Sequence, residues 1–202
     1  PHSWAPASFD VNNLTFKPGV MVLSQNTLST MFAGAGWEYN INEQTGKFYT
    51  SLSYRGWYPT MTIRFDIGNR AAFAQHHGSN EKLRFTWQET NIGTIISIPF
   101  NFSHTRFYRY LQPSIGTTLT AIQHNSSTSG QLTTGLIQIM DYRISASQYL
   151  HSSQKDVYPP WGEAIDVTFR NTPFGGNDMG SIFAAAMNLY FPGIIRHQGI
   201  WI

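Results

Sequence analysis

Apolar and polar residues alternate along much of this chain, and the octapeptide TMTIRFDI at positions 60–67 shows the pattern most clearly. In an extended strand its four apolar side chains point to one side, and Thr62, Arg64 and Asp66 point to the other. The segment therefore predicts a β-strand with one apolar and one polar face. It does not decide whether water or lipid lies against the apolar face.

The same period of two recurs in several other segments, and turn-forming residues separate them. The segment 181–189 contains three consecutive alanines and is also predicted to be a strand. We expect roughly ten to twelve strands of about ten residues, as in bilayer-spanning strands. The alternating segments are 48–55, 82–88, 94–103, 136–145 and 165–170, and the predicted turns are 42–46, 55–59, 76–80, 125–130, 152–160 and 175–178.

Composition favours lipid over water on the apolar face. Charged residues make up 12% of the chain, aromatic residues 15%, and the net charge is +2. The mean hydropathy is nevertheless −0.26, because Ser, Thr, Asn, Gln and Gly supply the polarity. Uncharged polar residues that alternate with apolar ones are typical of a transmembrane β-barrel, whereas a soluble sandwich carries more Lys and Glu. The prediction is an all-β, antiparallel, up-and-down transmembrane β-barrel.

In such a barrel the isolated charges would line the lumen and the aromatic residues would mark the membrane interfaces. Arg64 with Asp66, and Asp166 with Arg170, are predicted to be same-face pairs in the lumen. The alternative is that they are weak surface ion pairs. Seven aromatic residues near predicted strand ends are assigned to the membrane interfaces: Trp37, Trp57, Tyr58, Tyr108, Trp161, Tyr190 and Trp201.

Other classes of protein and site receive little support. Cysteine is absent, so there is neither a disulfide framework nor a thiolate metal site. No apolar run is long enough for a transmembrane helix, and Lys and Arg do not cluster as in a nucleic-acid-binding protein. His76 and His77 are interpreted as part of a polar loop rather than a metal site. No cofactor or metal is therefore predicted. Residues 1–202 are treated as one barrel domain, expected to be part of a longer protein.

A pattern of Gly, Pro and aromatic residues runs through Pro159–Arg170, the glycine-rich segment 175–180, the segment 189–193 with its aromatic-Pro exit, and His197–Gly199. With this pattern the chain resembles, over most of its length, the surface-antigen barrels of the outer-membrane assembly-factor superfamily. The segments PHSW at 1–4 and SQNTLST at 24–30 are similar to barrels fused behind a β-propeller. The Arg-Gly-aromatic motif of assembly factors has one match, at Arg55, which is interpreted as an ordinary turn. Protein insertion into membranes is therefore not inferred.

Two alternative functions remain open. His124 and Ser126 form a His-x-Ser pair, which resembles that of outer-membrane phospholipases and lipid A deacylases and would make the barrel a lipid hydrolase. No acid that could orient the histidine is identifiable. A soluble carbohydrate-binding sandwich is the second alternative, in which the rings of Trp57, Tyr58, Trp87 and Trp161 would stack on sugars.

The expected function is that of a Gram-negative outer-membrane protein with a transport, assembly or scaffolding role in an envelope complex. No chemistry of its own is expected. The expected partners are the lipid bilayer and other envelope proteins, and no nucleic acid. The expected location is the bacterial outer membrane.

Overall fold

The structure, a computed structural model, describes residues 2–10, 15–75, 82–124, 135–151, 159–174, 179–193 and 199–201. These residues form twelve strands in one antiparallel sheet. The strands are β1 (His2–Asp10), β2 (Thr15–Gln25), β3 (Met31–Asn40), β4 (Thr45–Tyr54), β5 (Thr60–Gln75), β6 (Lys82–Ser97), β7 (Phe100–Asn101), β8 (Phe107–His124), β9 (Gly135–Leu150), β10 (Gly162–Phe174), β11 (Ser181–Pro192) and β12 (Gly199–Trp201).

Eleven of these strands follow one another in chain order across the sheet, and the two-residue β7 pairs with β8 beside this path. The prediction of an all-β, antiparallel, up-and-down fold with ten to twelve strands is confirmed. Among the described residues no pairing joins β1 to β12, so the described sheet is open. None of the described residues belongs to a helix that is long and apolar enough to cross a membrane.

Two predicted segments have clear outcomes. The segment 181–189 is a strand, because it forms most of β11 and pairs with β10. The segment 94–103 was predicted to be one strand, and this is wrong. The sheet pairing of β6 ends at Ser97, and a separate pair with β8 begins at Phe100. Pro99 lies in the break, and proline has no backbone N–H to donate to a sheet.

Neighbouring strands are staggered in one direction. The row of paired residues at the start of β3 runs from Met31 through Tyr54, Met61 and Ile96 to Ile115 in β8. The row at the start of β10 runs from Gly162 through Tyr149 and reaches β8 at Tyr108. Tyr108 lies seven residues before Ile115 in β8. Both rows mark the same end of the sheet, one at the β2–β3 connection and one at the β9–β10 connection. Counted along β8, this end therefore lies seven residues apart at the two connections, which are six strands apart in the sheet order.

Neighbouring strands approach each other closely on the face of the sheet that carries Asp66, which we call the polar face. A Cβ atom added to Gly19 would lie 2.1 Å from the Trp37 carbonyl oxygen, and one added to Gly68 would lie 2.8 Å from the Lys47 Cα atom. Real Cβ atoms do not come this close to backbone atoms, so only glycine fits at these positions. The close approach indicates that the sheet is concave on the polar face.

The opposite face, which we call the apolar face, is not covered by any described residue. Among the described residues no large side chain is fully buried, and Ala71 is the one buried apolar residue. All described strands belong to a single sheet, so the second sheet that a sandwich requires is not among them. The apolar core of a soluble sandwich is therefore absent from the described part of the chain.

Candidate functional site

The apolar face is a continuous exposed surface. Pairing places Ile63, Ile92, Ile115 and Ile144 on it together, and each is between 44% and 53% exposed. One side of each residue packs within the sheet and the other is bare. Exposed apolar patches above a few hundred Å² mark a binding partner or a membrane. This face is therefore the first candidate site.

Charges on the apolar face occur only near strand ends. Among the residues whose side chains are described, pairing assigns Arg84, Arg109 and Glu163 to this face. Each lies within the first three residues of its strand. Between the strand ends the face carries aliphatic, aromatic, hydroxyl and amide side chains without a formal charge.

The polar face carries most of the charged residues of the strands, and they are paired. Lys47 Nζ lies 3.0 Å from Asp66 Oδ2. Asn91 donates to Asp66 Oδ2 at 2.8 Å and to Glu89 Oε1 at 2.7 Å, and its own carbonyl accepts from Thr120 at 2.6 Å. These side chains link β4, β5, β6 and β8 into one network. On β2 and β3 Lys17 and Glu38 form a further pair at 3.4 Å.

A second group of charges joins β9 to β10. Arg143 binds Asp166 at 2.7 Å, and Ser145 donates to the same carboxylate at 2.6 Å. Arg170 binds Asp141 at 2.5 Å. The sequence analysis paired Asp166 with Arg170, whereas the structure pairs each with a residue on the neighbouring strand. Asp141 lies directly opposite Arg170, and Arg143 lies diagonally opposite Asp166. Residues four apart in one strand are about 13 Å from each other, which is farther than either cross-strand neighbour.

The same correction applies to Arg64 and Asp66. The two residues share the polar face, since they are two positions apart in β5. Asp66 binds Lys47 and Asn91 instead. Arg64 makes no ion pair or hydrogen bond with any described residue.

The β3–β4 turn, residues 41–44, folds against the far end of β5. The β5 strand continues past the end of β4, so its backbone there lacks a strand partner. Glu43 Oε2 accepts a hydrogen bond from the Ala71 backbone N–H at 3.1 Å and from Arg70 Nε at 2.9 Å. Arg84 adds a hydrogen bond of 2.9 Å to the Glu43 carbonyl oxygen. A carboxylate thus satisfies a backbone donor that the sheet leaves open.

Arg70 is held between two carboxylates at this end of the sheet. Its Nε lies 2.9 Å from Glu43 Oε2, and its Nη1 lies 3.7 Å from Glu89 Oε2. The side chain thus joins the β3–β4 turn to β6.

Aromatic side chains gather at one end of the sheet, which we call the aromatic end. It contains the connections at residues 26–30, 55–59, 98–106 and 151–161. Six of the eight described aromatic contacts lie here. They join Tyr54 to Trp57, Tyr58 to Phe100, Phe100 to Phe102, Phe107 to Trp161, Tyr108 to His151, and Tyr149 to Tyr190.

The seven aromatic residues assigned to interfaces fall into two groups. Trp57, Tyr58, Tyr108, Trp161, Tyr190 and Trp201 lie at the aromatic end. Trp37 lies toward the opposite end of β3, on the apolar face, and is 49% exposed. Pairing puts Tyr108 and Tyr190 on the polar face, level with Gly162. The sequence placed these residues near strand ends but showed neither which end of the sheet nor which face each of them takes.

The described residues do not bring together the side chains of the alternative hydrolase, metal or sugar-binding sites. His124 ends β8 and pairs with Trp87, but Ser126 lies outside the described residues. His76 and His77 also lie outside them. In the described part of the chain no group of three His, Asp or Glu residues could hold a metal ion. Of the rings considered for sugar stacking, Trp87 lies at the opposite end of the sheet from Trp57, so the two do not share a surface.

Several residues of the charge networks were missed by the sequence analysis. Asp141 lies in an alternating segment, and Lys47 and Glu89 each lie one residue outside one. Their charged partners are Arg170, Asp66 and Arg70, which are 29, 19 and 19 positions away in the chain. Period-two patterning shows which face a residue takes. Only the pairing register shows which residue lies opposite.

A scan against models of known protein families found no match, and searches of curated proteins and of solved structures found none either.

Proposed function

We propose that this sheet is part of the wall of an outer-membrane β-barrel, with the apolar face against lipid and the polar face toward the interior. The observation that carries the proposal is the uncovered apolar face, which has no formal charge between the strand ends. Lipid can contact such an uncharged apolar surface along every strand. Water would leave it exposed, and no described layer covers it.

The height of this surface agrees with a bilayer. In β8 the apolar face carries neither a charged nor an amide side chain from Leu111 to Ala121, between Arg109 and Gln123. Ten steps of about 3.3 Å give roughly 33 Å along the strand. A strand tilted by about 40° then covers roughly 25 Å along the membrane normal, which is the height of the apolar band of outer-membrane barrels.

The stagger of the sheet supplies that tilt independently. A shift of seven residues across six strand spacings corresponds to roughly 23 Å along the strands for roughly 29 Å across them. The resulting angle is about 40°, within the range of 35–45° for closed barrels. Closure matters because lipid cannot hydrogen-bond an open strand edge. The proposed barrel therefore needs further pairing at β1 and β12.

The polar face supports a narrow or filled interior. The sheet is concave on this side, and glycines occupy its closest approaches. Pairs such as Lys47–Asp66 and Arg143–Asp166 cross from strand to strand. Side chains that are mutually neutralised and hydrogen-bonded are typical of a lumen filled by protein, whereas a wide pore has room for water.

The proposed role is transport, assembly or scaffolding in the cell envelope, without catalysis. The assembly-factor resemblance supports this class of role but not a particular cargo. The carbohydrate-binding sandwich is the weaker candidate, because neither a second sheet nor a shared aromatic platform is found among the described residues.

The first experiment is fractionation of the native source, followed by detergent extraction and electrophoresis with and without boiling. A closed barrel should be recovered with outer membranes and should migrate differently before and after boiling. Recovery in the soluble fraction would refute the membrane proposal. Recovery in the inner-membrane fraction would refute the outer-membrane location while leaving the lipid contact in place.

A further inference from the structure

A cavity of about 480 Å³ opens on the concave side of the sheet near the ends of β1 to β5. Its arginines are Arg55 and Arg64, and none of its lining residues is acidic. The hydroxyls of Ser51, Ser53 and Thr62 lie in the same wall. The cavity is therefore cationic and rich in hydrogen-bond donors.

Arg64 differs from the other cations of the polar face. Those cations each lie within 4 Å of a carboxylate, as the salt bridges of Lys17, Lys47, Arg70, Arg143 and Arg170 show. Among the described residues Arg64 has neither an ion pair nor a hydrogen bond. The guanidinium has five N–H donors in a fixed fork, and no described residue accepts a hydrogen bond from any of them.

Small residues keep the space beside Arg64 open. Gly34, Ser51 and Gly93 occupy the same row of the sheet as Arg64 in the three neighbouring strands. A Cβ atom added to Gly34 would meet the Ser51 hydroxyl oxygen at 3.3 Å, and one added to Gly93 would have Arg64 Cβ at 3.9 Å. Larger side chains in this row would fill the cavity.

Arg55 is held in place at the rim of the cavity. Its guanidinium lies over the Phe32 ring, 4.9 Å from the ring centroid, and Phe32 also lines the cavity. Stacking on the ring leaves the edge of the planar group free to donate. No carboxylate of the described residues pairs with it. Deeper in the cavity, Thr62 donates to Ser53 at 3.0 Å, which orients the Ser53 hydroxyl.

We infer that this cavity binds an oxyanion, a carboxylate or a phosphate group, between Arg64 and Arg55. A planar guanidinium matches two oxygens of either group with parallel hydrogen bonds. The adjacent hydroxyls of Ser51 and Ser53 supply additional donors. This inference goes beyond the proposed barrel, because it requires only the local sheet and not its closure or its insertion in lipid.

The test is isothermal titration calorimetry on the detergent-purified chain at constant ionic strength, with succinate and inorganic phosphate as separate probes. Arg64→Gln and Arg55→Gln should each weaken binding of the preferred probe by tenfold or more. Ser53→Ala should weaken it severalfold. Arg109→Gln is the matched control, because Arg109 lies on the apolar face and donates to Gln148 at 2.6 Å.

Every outcome decides the question. A preference for succinate assigns the site to carboxylates, and a preference for phosphate assigns it to phosphates. Absence of heat with both probes, or binding retained in Arg64→Gln, overturns the inference. An equal loss of affinity in Arg109→Gln also overturns it, because the affinity would then depend on the net charge of the protein and not on this cavity. Circular dichroism of each variant verifies that the sheet is intact, and Arg64 has no described partner whose loss would unfold it.

Discussion

Substitution of arginine for Ile115 separates a lipid-facing sheet from a water-facing one. Ile115 lies on the apolar face of β8, close to the middle of the uncharged stretch from Leu111 to Ala121, and is 44% exposed. Its paired neighbours are Ile96 and Tyr142, neither of which is charged. The arginine side chain would therefore extend into whatever medium covers this face.

The expected change in the free energy of unfolding differs between water and lipid. In water an arginine at an exposed strand position changes the free energy of unfolding by about 0.5 kcal/mol or less. At the midplane of a bilayer it lowers that free energy by about 2–4 kcal/mol. Leu136 is the matched control, because it lies on the same face in the row of Ala121 and is 57% exposed. At this edge of the band arginine should cost only about 0–1 kcal/mol.

The assay is urea unfolding of the chain reconstituted in lipid vesicles, followed by tryptophan fluorescence. Ile115→Arg should lower the unfolding free energy by at least about 2 kcal/mol more than it does in a detergent-free refolding buffer. Leu136→Arg should change little in either setting. Equal small effects of the two variants in lipid would refute the assignment of the apolar face to the bilayer.

Two further predictions concern the sheet itself. Gly19→Ala should lower the free energy of unfolding by about 2 kcal/mol or more, or prevent folding, because the added Cβ would lie 2.1 Å from a carbonyl oxygen. Gly93→Ala is the control. Its added Cβ meets nothing nearer than 3.3 Å, so it should be close to neutral in the same urea titration. Glu43→Gln should lower stability by about 1 kcal/mol and speed hydrogen exchange at the Ala71 amide, since Glu43 accepts from that N–H. Glu163→Gln, on the apolar face near a strand end, should do neither, and equal exchange rates in the two variants would contradict the role of Glu43.

The fold class could be predicted from local pattern because side-chain direction in a strand depends only on position. The alternation at 60–67 placed Arg64 and Asp66 on one face, and the register agrees. The break at Pro99 was missed although proline cannot donate to a ladder. The alternation of apolar residues continues through 94–103, so the apolar pattern outweighed the single proline in that prediction.

The charge partners could not be predicted in the same way. Asp166 has Arg170 four residues away in its own strand, yet it binds Arg143 on the neighbouring strand at 2.7 Å. Which residue lies opposite depends on register, and register is fixed by the summed pairing of whole strands. For the same reason the pattern showed neither that six of the seven aromatic residues lie at one end of the sheet nor that Tyr108 and Tyr190 take the polar face.

The sequence by itself determined that this chain forms long amphipathic strands with few charges, because period-two alternation and composition are local properties. Only the tertiary structure decided that the strands join in one staggered sheet, that no described residue covers the apolar face, and that Arg64 lies in a cationic cavity without a partner among the described residues. These features arise from contacts between residues far apart in the chain. Their geometry depends on the register of all strands together, which no single segment encodes.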